Sequence, residues 1–142
     1  MKKIRSFLLV ALSLSILLTP AVCPALNLRV TAIDGGGSQT IALREDGTIW
    51  AYGENGSGQL GDGTDVDKTL PIRSSFTLTG VVALATGPYH TLAVRTDGTV
   101  WAWGGTGYNQ LGDGTPTPRL TPVQVIDPTD PTGCLPGVTR VA

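Results

Sequence analysis

From residue 29 onward, apolar residues come in short alternating runs, not in helical stripes. Val30–Ile33, Thr40–Arg44 and Thr48–Tyr52 each read as a strand of four or five residues, as do His90–Arg95 and Thr99–Trp103. In Thr48-Ile49-Trp50-Ala51-Tyr52 the period of two sets Trp50 and Tyr52 on one face and Ile49 and Ala51 on the other. Trp101 and Trp103 repeat that face. Asp46-Gly47 and Asp97-Gly98 interrupt these runs and predict hairpins, because Asp-Gly tolerates positive φ at both turn positions. A fourth short strand is expected around Pro71-Ile72, and again around Pro122-Val123. Proline donates nothing to a ladder, which puts that strand at a sheet edge.

The pattern is a repeat. Sliding the chain by 51 residues lays Val30–Ser74 on Val81–Val125 with 20 of 45 positions identical. The matches include Asp46-Gly47-Thr48 with Asp97-Gly98-Thr99, Trp50-Ala51 with Trp101-Ala102, and Gln59 to Thr64 with Gln110 to Thr115. A third copy starts at Gly137-Val138-Thr139-Arg140-Val141-Ala142, which lies on Gly80 to Ala85 with six extra residues before it. Those fall within 126–136, a Pro- and Asp-rich loop. The predicted organisation is a signal at 1–25, a first repeat at 26–79, a second at 80–136 and the start of a third, truncated repeat at 137–142. The expectation is a fragment of a longer exported protein with further repeats. Four short antiparallel strands per repeat predict an all-β fold of β-propeller blades, an incomplete propeller whose sheets bury their faces by stacking.

The first twenty-odd residues stand apart. Lys2, Lys3 and Arg5 precede an apolar run from Phe7 to Leu18, broken by Thr19-Pro20 and followed by small residues. This is the secretory pattern, and the run is short for a membrane span. Cleavage after Ala25 is expected, since cutting after Cys23 would leave Pro24 first. Export to the periplasm, cell surface or medium follows, with no membrane attachment afterwards. Residues 26–142 then carry 7 basic and 11 acidic side chains. That balance gives no basic excess and argues against nucleic acid as a partner. Cys134 is the one cysteine left, with no partner in this chain.

The repeat resembles the regulator-of-chromosome-condensation family, whose pattern runs from Gly-x-x-His through Asp-Gly and Trp-Gly to a Gln-Leu-Gly loop and a Pro. The second copy carries Gly87-Pro88-Tyr89-His90, Asp97-Gly98, Trp103-Gly104, Gln110-Leu111-Gly112 and Pro122. The first carries Gly36, Asp46-Gly47, Tyr52-Gly53, Gly58-Gln59-Leu60-Gly61 and Pro71, with Gln39 in place of His and Tyr52 in place of Trp. The resemblance implies a seven-bladed propeller of four-stranded blades that works through protein contacts. The founding member's nucleotide exchange on a small GTPase is not carried over, because nothing in the shared pattern marks the exchange surface and the export signal points elsewhere.

Chemistry-bearing motifs are few. Gly56-Ser57-Gly58-Gln59-Leu60-Gly61 fits Gly-x-Gly-x-x-Gly, but turn residues follow it where a nucleotide site needs a helix, and the second copy loses the middle glycine. Asp62, Asp65 and Asp67 lack the further oxygen ligands of a calcium loop and read as turn formers. His90 is the sole histidine; with Gln39 as its counterpart it predicts a structural hydrogen bond within the blade. Trp50, Trp101, Trp103 and Tyr52 read as blade packing in preference to sugar stacking. Asn55-Gly56-Ser57 fits the N-glycosylation acceptor pattern. The expectation is a protein with no catalytic, metal or cofactor residues: a non-catalytic interaction module whose protein partner binds loops such as Asn55–Gly58 and Thr106–Asn109. The alternative is a propeller scaffold appended to a larger exported enzyme; guanine-nucleotide exchange ranks below both.

Overall fold

A computed structural model describes residues 29–74, 78–130, 135 and 137–142. The predicted signal and Cys134 lie outside the described residues. Eight strands follow in order: β1 Val30–Gly36, β2 Gln39–Arg44, β3 Ile49–Gly53, β4 Lys68–Arg73, β5 Val81–Thr86, β6 His90–Arg95, β7 Val100–Gly104 and β8 Arg119–Gln124. They form two four-stranded antiparallel sheets, each in sequential order, β1 to β4 and β5 to β8. These are two propeller blades, and the described residues contain no helix.

The 51-residue register holds pair by pair. Ala42 lies opposite Trp50 as Ala93 lies opposite Trp101, and Trp50 opposite Arg73 as Trp101 opposite Gln124. Pro71 and Pro122 sit in β4 and β8, the edge strands, as their missing N–H requires. β4 and β8 slip register against their neighbours between Ala51 and Gly53 and between Ala102 and Gly104, in the stretch that holds Pro71 and Pro122.

The two hairpin turns are equivalent but differ from the expected form. Only the glycines take positive φ, 74° at Gly47 and 79° at Gly98. Gly47 N–H donates to the Arg44 carbonyl and Arg44 N–H to the Thr48 carbonyl, both at 2.9 Å, and Arg95 to Thr99 repeat this. One left-handed residue closing a longer loop suffices, so the aspartate keeps negative φ. Its carboxylate instead accepts from the amide and hydroxyl of the threonine two residues on.

A hydrophobic core cluster lies between the blades; Val94, Val100 and Ala102, on the other face of the second sheet, are buried as well, with Leu111. Ile41, Leu43, Ile49 and Ala51 form the inward face of the first sheet, with Leu60 from its long loop; Val81, Ala93 and Trp103 of the second sheet pack on them. The two sheets therefore meet back to front, one face of each. Residues 137–142 form no strand. Even so, Gly137 takes φ 77° and lies against Gly98 as Gly80, φ 70°, lies against Gly47, with the incoming amide 3.2 Å from the ideal Cβ position in each case.

Candidate functional site

Antiparallel order puts the turns β1–β2, β3–β4, β5–β6 and β7–β8 at one end of the pair, and the Asp-Gly hairpins with the blade linker at the other. The first end carries the long loops. In the loop after β3, Asn55 is wholly buried. Its Nδ2 donates to Asp62 Oδ1 and to the Thr64 and Val66 carbonyls at 2.8–3.2 Å, and its Oδ1 accepts from Leu60 N–H at 2.9 Å. A side chain so engaged is closed to a glycan, so the acceptor pattern marks a loop anchor. The counterpart Thr106 is also buried, but its hydroxyl has no partner. There the loop is held by Arg119, whose guanidinium binds Asp113 at 2.6–2.7 Å and Thr115 at 3.1 Å; Lys68 spans Asp62 and Thr64 in the first blade.

The Gln-Leu-Gly loop is the joint between blades. Leu60 enters the core, while the Gln59 carbonyl accepts from Thr91 Oγ1 and Trp103 Nε1 of the second blade, each at 2.9 Å. Gly61, at φ 69°, has Trp103 Nε1 only 2.6 Å from where its Cβ would stand, so the indole demands a glycine. Glycines 56, 58 and 61 thus shape turns, with no helix for a phosphate to cap. Asp34 adds an inter-blade bond to Thr86 N–H at 2.8 Å. Gln39 departs from expectation: its Nε2 donates across the joint to the Gly87 carbonyl at 2.9 Å, not within its own blade. The start of β2 abuts the neighbouring sheet, and stacking brings that carbonyl within hydrogen-bond reach. His90 stands likewise over Gly87, with no hydrogen bond among the described residues.

Acidic residues other than Asp34 are spent largely on turns. Asp46, Asp62, Asp97, Asp113 and Asp127 each accept from the threonine two residues on. Asp65 and Asp67 do not join Asp62 in a cluster; Asp67 instead accepts from Asn55 N–H at 2.7 Å. The threonine hydroxyl and amide hold Asp46, Asp97 and Asp127 below the ordinary 3.8. At Asp62 and Asp113 burial opposes ionisation, yet the bonds from Thr64, Lys68 and Asn55, and from Arg119 and Thr115, win. Burial lowers His90 below 6.5. For all six groups the folded state binds fewer protons than the unfolded one, so stability falls as pH falls. The His90 contribution is present above 6.5 and lost as pH drops through its folded value; the carboxylate contribution is present above 3.8 and lost below it. Thermal melts should show two descending limbs on acidification. His90→Gln should abolish the first and leave the second. A melting temperature flat from pH 7 to 3 would contradict both.

Exposed at the loop end are aromatic and acidic side chains, with the apolar Val66 at 61% among them. Tyr108 is 93% exposed and Tyr89 55%. The Tyr89 carbonyl accepts from Gly105 N–H at 2.7 Å, and Gly105 is wedged between the Cβ atoms of Ser57 and Tyr89, each 3.3 Å from its own ideal Cβ position. Gly37 packs on Pro88 across the blades in the same way. Both predicted binding loops reach this surface through Ser57 and Tyr108, though Asn55 and Thr106 turn inward. Pro88 and Tyr89, which the sequence reading treats only as family pattern, belong to it too. Their signal was the Gly-Pro turn between two apolar runs. Asp65 and Asp67 are exposed on the neighbouring loop, while Lys68 and Arg119 are tied down by Asp62 and Asp113.

Two family models describing the regulator of chromosome condensation (RCC1) repeat match the chain, one over residues 46–94 and 97–142, the other over 30–59 and 81–110. The ultraviolet-B receptor UVR8 of Arabidopsis thaliana is 36% identical over 111 residues, 77% of this chain and 25% of the receptor. The mitochondrial RCC1 domain-containing protein RUG3 of the same plant is 33% identical over 110 residues, 75% of this chain and 24% of its own. The chain thus spans about a quarter of these relatives. Among solved structures, Prp20p from Saccharomyces cerevisiae, described together with its binding to Gsp1p and histones, superposes with a TM-score of 0.63 at 20% identity, over 73% of this chain and 27% of that one. Human WBSCR16 gives 0.59 at 23%, over 68% and 26%. The likeness to solved structures is one of fold, and the repeat itself is matched in both blades; the chain belongs to the regulator of chromosome condensation repeat family.

Proposed function

We propose that this chain is an exported, non-catalytic protein-interaction module whose loop end, centred on Tyr89 and Tyr108, takes a partner with basic and apolar side chains. The observation that carries this reading is the pair of exposed tyrosines set on two hydrogen-bonded loops of the second blade, at the same end as Asp65 and Asp67 of the first. Exposed tyrosine on a rigid frame is what interfaces use as an anchor. The rest of the polar chemistry at this end is engaged in the fold: aspartates and Asn55 in turns, and Gln59 at the blade joint. Binding of Gsp1p and histones by Prp20p is in keeping with a protein partner for this fold. Export rests on the N-terminal pattern, with residues 26–79 and 80–136 as successive blades and 137–142 opening a third.

A photo-crosslinking amino acid placed at position 108 or 89 should yield protein adducts in the exported fraction, and one at Thr96 on the opposite end should not. The mature protein should begin at Leu26. With the adduct partner in hand, Tyr89→Ala with Tyr108→Ala should weaken binding at least tenfold with the melting temperature unchanged. Equal labelling from both ends, or a chain that keeps residues 1–25 in the cytoplasm, would overturn the proposal.

A further inference from the structure

The two blades break repeat symmetry at the loop end. In the 51-residue register Tyr89 falls on Ser38 and Tyr108 on Ser57, while Asp65 and Asp67 fall on Pro116 and Pro118. At these positions the rings belong to the second blade and the carboxylates to the first. The two sets meet at the seam between the blades. Ser57 and Tyr89 each place their Cβ 3.3 Å from the point where a Cβ of Gly105 would stand, so the glycine lets the two loops close on one another. Asp67 is fixed to the same segment: its Oδ1 accepts from Asn55 N–H at 2.7 Å, two residues before Ser57. Both sides of this seam lie within the described blades.

We infer that this seam binds an arginine side chain displayed by the protein partner, its guanidinium lying on the Tyr89 ring and donating to the Asp67 carboxylate. This rests on the loop end being an interaction surface.

The chain already builds such a unit from its own residues. Arg95 lies over the Trp101 ring, 6.0 Å from its centroid, and binds Asp97 at 2.8 Å. Arg44 lies over Trp50 at 5.4 Å. The seam holds the ring and the aspartate of that unit and lacks its cation. Lys68 and Arg119 are bound to Asp62 and Asp113, and Glu54, Asp65 and Asp67 make no ion pair among the described residues. One oxygen of Asp67 is held by Asn55, so the carboxylate is oriented before a ligand arrives, and its other oxygen has no partner among the described residues. A planar guanidinium can lie on the ring and turn its N–H groups to that oxygen at once; an ammonium is a point charge and more strongly hydrated. Val66, exposed between the two aspartates, and Tyr108 offer apolar surface to the residues that flank the arginine.

The test is an amide NMR titration of the exported chain as purified, with N-acetyl-arginine amide, N-acetyl-lysine amide and N-acetyl-citrulline amide as probes. The arginine probe should shift the amides of Ser57, Asp67 and Tyr89. The lysine probe should bind about threefold or more weaker, and the neutral citrulline probe should shift none of the three. Tyr89→Ser copies the first blade, and Asp67→Asn keeps the acceptor for Asn55 N–H while losing the charge. Each should weaken the arginine probe about threefold or more. Asp46→Asn takes the same charge from the opposite end and should change nothing. Arginine binding no tighter than either other probe, an equal loss from Asp46→Asn, or no shift at these amides by about 0.1 M probe would each overturn the inference. Crosslinked adducts from positions 89 and 108 alongside any of those results would retire the arginine site and keep the interaction surface. An arginine response with no adduct from either position would retire the protein partner, and the inference with it.

Discussion

Trp103→Ala is expected to destabilise the protein by about 3–5 kcal/mol, the usual range for removing a buried large aromatic. The indole is wholly buried in the joint, packed on Gly61, and its Nε1 donates to the Gln59 carbonyl at 2.9 Å. Its loss opens a cavity between the sheets and leaves that carbonyl with Thr91 alone. In a repeat protein the joint couples the blades, so the urea transition should broaden as well as shift. Tyr52→Ala is the control. It changes the same register position on the exposed face and should cost under about 1 kcal/mol. Urea melts followed by circular dichroism compare the two. A Trp103→Ala protein within about 1 kcal/mol of wild type would mean that the blades are not held by this joint.

The second large effect falls on a residue that the sequence presents as a glycan acceptor. Asn55→Ala should cost about 2–4 kcal/mol, because it leaves the buried Leu60 amide and the Thr64 and Val66 carbonyls without their partner. Asn55→Asp should do no better, since it sets a carboxylate against Asp62 and the same two carbonyls. Thr106→Ala, at the matching place in the second blade, removes a hydroxyl that bonds nothing and should stay within about 0.5 kcal/mol of wild type. Chain produced in a eukaryotic secretory pathway should carry no glycan at Asn55 once folded, readable as an unchanged intact mass. Glycosylation of the folded protein at that site would show that the loop opens.

The blades were legible from local pattern. Strand alternation, Asp-Gly punctuation and the 51-residue period are carried by neighbours in sequence, and each blade's ladder joins consecutive strands, so β1 to β4 and β5 to β8 follow in order. The edge position of Pro71 and Pro122 follows from one missing N–H and needs no tertiary knowledge. The turn form was only half legible: Asp-Gly announces the hairpin, but the number of positive φ angles depends on loop length, and only Gly47 and Gly98 take one.

Contacts between blades belong to the tertiary structure. Gln39 and His90 share a column in the repeat, yet what each meets is set by the sheet stacked beside it, and the first bonds across the joint while the second has no hydrogen bond among the described residues. Trp103 and Tyr52 share another, and one is core while the other is surface. Asn55 and Thr106 share a third, and the loop anchored by an amide in one blade is anchored by Arg119 in the other. The exposed pair of Tyr89 and Tyr108 likewise emerges only when turns from separate strands are brought to one end. A periodic sequence specifies what each repeat offers to its neighbours; stacking order decides which of those faces, donors and aromatic rings are met and which stay open.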